Sequence, residues 1–249
     1  MNTSVLLALS AGAVGASFFS ALSGMGGGVI LFALLNLFFV PHVAFALHAF
    51  SQIFSNGARV VVFYKYVKWK LFLPYFFGST IGVFCASYLF FFMPERFLQI
   101  IIALFLISYA LFQKQISANP LVKFAKADRS FFVFGICAGL LSMTLGAVGP
   151  FLAPFLKENI EDKETFISTK AMLQLWVQIL KSILFVTVFS FDFKIYYVEL
   201  IFIAIGLILG TLLGKKIHEH IPEKLFSIVL RVTLFFIGTQ MLYEIVFKK

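Results

Sequence analysis

Ser23-Gly24-Met25-Gly26-Gly27-Gly28-Val29-Ile30 interrupts an apolar stretch that otherwise runs from residue 3 to residue 40. Glycines let the backbone approach a ligand closely, and a helix that starts after them presents free N–H groups and the positive end of its dipole. The run therefore predicts a broken helix, with Gly26, Gly27 and Gly28 as candidate ligand-binding residues; a tight packing kink is the alternative. Gly146-Ala147-Val148-Gly149-Pro150 repeats the pattern and adds Gly149 as a candidate, since proline is tolerated in a first helical turn.

The composition places the chain in a lipid bilayer. Of the 249 residues, 61% are hydrophobic and 12% are charged, which is about half the charged share of a soluble domain. A soluble fold of this length could not hide so much apolar surface, whereas lipid solvates it. The apolar stretches run over 3–23, 28–40, 42–64, 71–93, 96–113, 130–147, 149–156, 165–191, 195–214 and 223–247. Because a spanning helix needs about 20 residues, they predict an all-α polytopic membrane protein with eight to ten segments.

The two halves of the chain carry the same features in the same order. Pro94-Glu95 corresponds to Pro222-Glu223, and each pair follows a row of small residues spaced four apart. The rows are Gly78, Gly82 and Ala86 in the first half and Gly206, Gly210 and Gly214 in the second. Such rows let neighbouring helix backbones approach closely. We therefore predict a first transmembrane repeat over 1–115, a basic cytoplasmic linker over 116–129 and a second transmembrane repeat over 130–249.

Each repeat is predicted to contain three long transmembrane helices and one glycine-broken helix pair, and the loop charges predict its orientation. Positive charge accumulates on the cytoplasmic side of a membrane. We place Lys65, Lys68 and Lys70 on the cytoplasmic side. If each half crosses the membrane an odd number of times, the linker and Lys215-Lys216 lie on the cytoplasmic side too. Lys248-Lys249 then lies on the opposite side. The repeats would then be inverted, as in many transporters. Anchoring to anionic lipid explains the formal charge of +9 better than nucleic acid does, and we expect a multi-pass protein of a cell inner membrane.

Two of the long apolar stretches carry matching polar rows. The first row consists of His48, Gln52, Asn56 and Arg59, and the second consists of Lys170, Gln174, Gln178 and Lys181. In both rows the spacing of four, four and three residues puts the side chains on one helix face. The number of residues that separates the two rows equals the number that separates Gly24 from Gly146. Since a charged side chain at the centre of a membrane helix costs on the order of 3 kcal/mol, we predict that both rows face a shared polar space.

The residue types in these rows predict an anion-binding site. Four potential cations would meet there, while few carboxylates lie within apolar stretches to neutralise them. A permeating anion would supply the missing negative charge. Arg59 and Lys170 could instead be interfacial anchors, and Gln52 and Gln174 could simply bond one helix to another. His48 could be a neutral hydrogen-bonding residue or a proton carrier.

Other classes of function have little support in the sequence. There is no nucleotide-binding loop and no His, Cys, Asp or Glu cluster at metal-ligand spacing, so we expect no enzyme activity, no cofactor and no metal. Cys85 and Cys137 lie inside apolar stretches and are expected to be packing residues. The remaining rivals are a channel or carrier for another small solute and a non-transporting membrane assembly subunit.

The ordered set of motifs resembles the TauE/SafE sulfite exporter family, also called TSUP. The resemblance rests on the Gly24–Gly28 break, the Pro41-His42-Val43-Ala44 turn, the Lys68-Trp69-Lys70 turn and the repetition of the unit after a basic linker. The stretch from His48 to Arg59 also resembles a pattern found in part of that family. The chain departs from the family at Ala33, where members often have a proline, and in its degraded second glycine run.

The resemblance implies a secondary transporter, in most members an exporter, of sulfur-containing anions such as sulfite, sulfonates or sulfoacetate. We expect the anion to bind between the two repeats and to be moved by alternating access. The expected partners are this anion and the lipid bilayer, with a possible homo-oligomer.

Overall fold

A computed structural model describes residues 3–23, 26–117, 130–146, 148–217 and 223–247. Within these ranges the chain forms helices and no strands, which confirms the predicted all-α class. The helices are α1 (Thr3–Ser23), α2 (Gly27–Phe38), α3 (Pro41–Val62), α4 (Trp69–Phe92), α5 (Glu95–Ser117), α6 (Ser130–Leu145), α7 (Gly149–Lys157), α8 (Lys163–Thr187), α9 (Tyr197–Ile217) and α10 (Glu223–Phe247). Short 3-10 turns at Tyr64–Tyr66 and Phe193–Tyr196 precede α4 and α9.

Five segments among the described residues are long and apolar enough to cross a membrane. They are Thr3–Ala21, Trp69–Phe92, Glu95–Phe112, Lys163–Thr187 and Phe193–Gly214. The helices α2 and α7 have 12 and 9 residues, fewer than the roughly 20 that a crossing needs. The chain is therefore a multi-pass membrane protein with two short helices inside it.

Both predicted glycine breaks are present in the backbone. Between α1 and α2, Gly26 has a φ of 85°, and between α6 and α7, Gly146 has a φ of 74°. Side chains other than glycine are strained at such angles, so these two positions require glycine. Gly24, Met25 and Ala147 lie outside the described residues.

The start of α8 is determined by a side-chain cap. Asp162 precedes the helix, and its carboxylate accepts a hydrogen bond of 2.8 Å from the Thr165 N–H. This bond satisfies one of the free N–H groups of the first turn. Hydrogen bonds with Thr165 hold the pKa of the Asp162 carboxyl below its usual range.

The end of α8 differs from the prediction, which placed it at residue 191. The helix ends at Thr187, because Ser190 has a φ of 51° and turns the chain. The Phe191 N–H then donates to the Phe185 carbonyl at 2.8 Å, which closes the last turn. A 3-10 turn follows, and α9 therefore begins at Tyr197 instead of residue 195.

The end of α5 also differs from the predicted boundary at residue 113. The helix continues to Ser117, with a kink at Phe112 where φ is −112° and ψ is 18°. Of the predicted linker over 116–129, the described residues include only the last two positions of this helix.

Each of the two predicted rows of small residues packs against a helix of the other half. Gly78 and Gly82 of α4 lie directly against backbone carbonyls of α6. Gly206, Gly210 and Gly214 of α9 lie directly against backbone carbonyls of α1. The fourth helix of each half, α4 or α9, thus packs on the first helix of the other half, so the two halves interlock.

The helices that carry the polar rows, α3 and α8, pack against each other. At one end, Val62 of α3 and Ile167 of α8 line the same cavity. At the other end, the Phe90 ring of α4 lies 5.0 Å from the Phe45 ring of α3 and 5.9 Å from the Phe185 ring of α8. The end of α3 therefore meets the start of α8, and the two helices run in opposite directions.

The prediction for the two cysteines was wrong. Cys85 and Cys137 are free thiols exposed on the outer surface of α4 and α6. An apolar stretch does not distinguish a core-facing position from a lipid-facing one, because lipid is as apolar as the protein interior.

Candidate functional site

All eight side chains of the two polar rows are buried, with relative exposures between 0% and 8%. None of them faces the lipid. Apolar neighbours surround the helices on their other faces, so these polar groups must find partners in each other, in backbone groups or in a ligand.

A cavity of about 10 Å³ lies between α3 and α8, and we call it the chamber. Nine of the twelve predicted site residues line it, namely Gly26, Gly28, His48, Gln52, Arg59, Gly149, Lys170, Gln174 and Gln178. Ser20 and Val29 complete the lining. The volume is close to that of one water-sized sphere, so the chamber must widen to admit a polyatomic anion.

His48 joins the first polar row to the first glycine break. Its Nε2 lies 2.9 Å from the Gly28 carbonyl oxygen. Because a carbonyl only accepts, Nε2 carries the hydrogen and donates it. The Phe32 ring packs on the imidazole at 5.2 Å between centroids, and Nδ1 is buried without a hydrogen-bond partner among the described residues.

Arg59 is held by its own helix. Its Nη2 donates to Ser55 Oγ at 2.7 Å, and its Nη1 donates to Asn56 Oδ1 at 3.3 Å. Asn56 also donates from Nδ2 to Gln52 Oε1 at 3.5 Å. Asn56 therefore lies beside the chamber rather than in its lining, and it positions two side chains that do line it.

Lys181 lies behind the chamber. Its Nζ donates to the carbonyls of Ser142 at 2.8 Å and Gly146 at 3.3 Å, at the C-terminal end of α6. Cations are favourable there because the last carbonyls of a helix carry the negative end of its dipole. Its Nζ also lies 5.4 Å from the centroid of the Phe45 ring. Lys181 thus attaches α8 to the second glycine break.

The glycines of the two breaks have different surroundings. Gly27 lies directly against the Ala16 carbonyl and Ser20 Cβ of α1, so its smallness serves helix packing and not the chamber. A Cβ on Gly28 would lie 3.5 Å from Gln52 Oε1, and a Cβ on Gly149 would lie 3.1 Å from Gln174 Nε2. Each break therefore meets the corresponding amide of the polar row in its own half.

The chamber is electropositive. Arg59 and Lys170 line it, and α2 and α7 begin beside it, with the positive ends of their dipoles at Gly26 and Gly149. Within the described residues, neither Arg59 nor Lys181 forms an ion pair with a carboxylate. In the same ranges, no three His, Cys, Asp or Glu side chains lie together as a metal site requires. The arrangement suits a small anion that accepts several hydrogen bonds.

A family model described as sulfite exporter TauE/SafE matches residues 8–241, which is nearly the whole chain. The chain belongs to the sulfite exporter TauE/SafE family. This assignment confirms the resemblance drawn from the motifs. No curated protein and no solved structure matches the chain. As a TauE/SafE member, the chain is a membrane transporter of the sulfite-exporter type.

Three residues of this TauE/SafE site were missed by sequence reasoning. Ser55 holds Arg59, and Ser20 and Val29 line the chamber. Ser55 lies next to Asn56 in the predicted row, so its position one turn before Arg59 was a usable signal. For Ser20 and Val29 the sequence holds no signal, since both are ordinary residues of apolar helices.

Proposed function

We propose that this TauE/SafE chain is a secondary transporter that exports a small sulfur oxyanion, with sulfite as the first candidate, and binds it in the chamber. The observation that supports the proposal is the convergence of nine predicted residues on one buried, electropositive cavity between the two halves. A location in a cell inner membrane and assembly into a homo-oligomer are part of the same proposal.

The chemistry of the lining matches an oxyanion. Each oxygen of such an anion accepts hydrogen bonds, and charged donors give shorter and stronger bonds than neutral ones. Gln174 and Gln178 offer amide N–H groups, Arg59 and Lys170 offer charged donors, and Gly28 lies at the start of α2. Helix N-termini bind sulfate-like and phosphate-like anions for the same physical reason.

The proposed movement is alternating access between two inverted repeats. The opposite directions of α3 and α8 support the inversion, because equivalent helices of parallel repeats would run in the same direction. The exchanged packing of the glycine rows indicates which helices would move together, since the tight contacts join α4 to α6 and α1 to α9. The glycine breaks lie beside the chamber and would act as the gates.

Flux into proteoliposomes tests the proposal, with a panel of sulfite, thiosulfate, sulfoacetate, sulfate and chloride. Replacing Lys170→Gln removes one charged donor from the chamber, and we expect sulfite flux to fall about 10- to 100-fold, as for the loss of a charged hydrogen bond. Lys65→Gln is the matched control, because Lys65 is exposed in the turn after α3. Its flux should stay within a factor of two of the parent.

The outcomes separate the rival functions. Internal sulfite should accelerate the uptake of labelled sulfite if the protein is a carrier, whereas a channel shows no such exchange. A protein that reconstitutes with its fold intact and moves none of the five anions would contradict the proposal and would favour an assembly subunit. Equal flux in the Lys170→Gln and Lys65→Gln variants would remove the chamber as the binding site.

A further inference from the structure

A second cavity, of about 260 Å³, lies where α3 ends and α8 begins. Its lining includes Arg59, Val62, Lys163, Glu164, Ile167 and Thr211. Among the residues that the structure describes, Arg59 is the one that lines both this cavity and the chamber. Arg59 therefore stands between the two spaces.

Arg59 is suited to select anions at this point. Its guanidinium is held by the neutral groups of Ser55 and Asn56, and its Nε is buried without a hydrogen-bond partner in the described part of the chain. Glu164 lines the same cavity but does not come within ion-pair distance of Arg59. A cation that is not neutralised by a nearby carboxylate attracts anions and repels other cations in the cavity beside it.

The opposite end of the chamber is closed by aromatic rings. Phe32 contacts His48 of the chamber, and its centroid lies 4.8 Å from that of Phe45. Phe45 in turn contacts Phe90, which contacts Phe185. All four of these phenylalanines are fully buried. We call them the aromatic cluster.

The two ends of the chamber have different surroundings, although the two polar rows correspond residue by residue. Lys181 occupies the position in the second row that Arg59 occupies in the first. Arg59 borders an open cavity, whereas Lys181 is bound by the end of α6 and covered by Phe45. The chamber thus borders a cavity on the Arg59 side and packed side chains on the Lys181 side.

We propose that the 260 Å³ cavity is the vestibule through which the anion enters the chamber, with Arg59 as the charge-selecting residue between them and the aromatic cluster as the closed gate opposite. This rests on the proposed function of the chamber. The vestibule lies at the end of α3 that is followed by Lys65, Lys68 and Lys70, which is the cytoplasmic end by the distribution of positive charge. An exporter must load its substrate from that side.

Cysteine labelling in oriented vesicles tests the vestibule. In a background of Cys85→Ala and Cys137→Ala, Ile167→Cys places a thiol in the vestibule, and Val61→Cys places one on the outer face of α3, where Val61 is 75% exposed. We expect a membrane-impermeant, negatively charged methanethiosulfonate to modify Ile167→Cys from the Lys65 side only. The modification should lower sulfite flux at least about tenfold, whereas modified Val61→Cys should keep its flux, because only the first adduct lies in the path.

A second measurement isolates Arg59 without using transport. The ratio of labelling by negatively and positively charged reagents at Ile167→Cys should fall at least about threefold when Arg59→Gln is added, and Arg59→Lys should restore it. Labelling of Ile167→Cys from the opposite side, or unchanged flux after its modification, would overturn the vestibule. If labelling follows the expected pattern but no anion is transported, the result contradicts the proposed function and leaves the assignment of the vestibule standing.

Discussion

At the scale of single residues, two side chains of the same row have different tasks. Gln174 lines the chamber, whereas Lys181 donates to the last carbonyls of α6 and does not line it. Sequence spacing treats them alike, because both lie on one face of α8. The difference depends on α6, whose last carbonyls accept hydrogen bonds from Lys181.

Substitutions of these two residues should therefore separate stability from transport. Lys181→Met leaves the carbonyls of Ser142 and Gly146 without their buried donor, and we expect a loss of about 1–3 kcal/mol of stability. Gln174→Ala should leave the stability nearly unchanged and lower sulfite flux about tenfold, as for the loss of one hydrogen bond to the anion. Thermal unfolding in detergent and flux per folded protein measure the two effects. A stable but inactive Lys181→Met variant would show that the lysine acts on the anion itself.

At the scale of helices, glycine content reflects contact between the halves. Gly82 of α4 lies directly against the carbonyl of Ile136 in α6, while a methyl group added to Gly57 of α3 would meet nothing within 4 Å. Glycine in a helix otherwise costs up to about 1 kcal/mol relative to alanine. The close approach of α4 and α6 requires glycine at position 82, and the glycine at position 57 has no such reason in the structure.

Alanine substitutions at these two positions give a matched pair. Gly82→Ala should destabilise the protein by about 1–3 kcal/mol, because the added methyl group forces α4 and α6 apart. Gly57→Ala should keep the stability or raise it slightly, since helix propensity improves and no contact is lost. Residual helicity and monodispersity after heating measure both. If the two variants lost equal stability, close packing of α4 on α6 would not be what the glycine row provides.

Much of the element structure could be predicted, and its failures have physical causes. The polar rows and the glycine breaks followed from the cost of burying polar groups in lipid and from backbone freedom, both of which are local. The end of α8 at Thr187 could not be predicted, since Ser190 adopts a conformation that its residue type rarely takes. The vestibule could not be predicted either, because Val62 and Ile167 look like lipid-facing residues until α3 and α8 are brought together.

At the scale of the whole molecule, the proposed alternating access makes the structure one of two states. A carrier must open the chamber to one side at a time, so the contacts that close one side must break when that side opens. Phe90 contacts both Phe45 of α3 and Phe185 of α8, and thereby joins the two central helices on the closed side. Removing its ring should weaken the state described here more than the opposite state.

Phe90→Ala should therefore shift the population toward the state that is open on the Lys181 side. Truncating a fully buried phenylalanine costs about 3–5 kcal/mol, and if about 1–2 kcal/mol of this is specific to the closed gate, the equilibrium shifts by about 5- to 30-fold. Labelling of Gln174→Cys should rise from the side opposite Lys65, where the Phe193–Tyr196 turn lies, and labelling of Ile167→Cys from the Lys65 side should fall in parallel. Phe84→Ala is the control, because Phe84 lies on the same helix but is 52% exposed. Partial unfolding would raise both labelling rates together, whereas a gate raises one rate and lowers the other. A rise in both rates would contradict the assignment of the aromatic cluster as the gate. The same labelling rates in Phe90→Ala and Phe84→Ala would also contradict it.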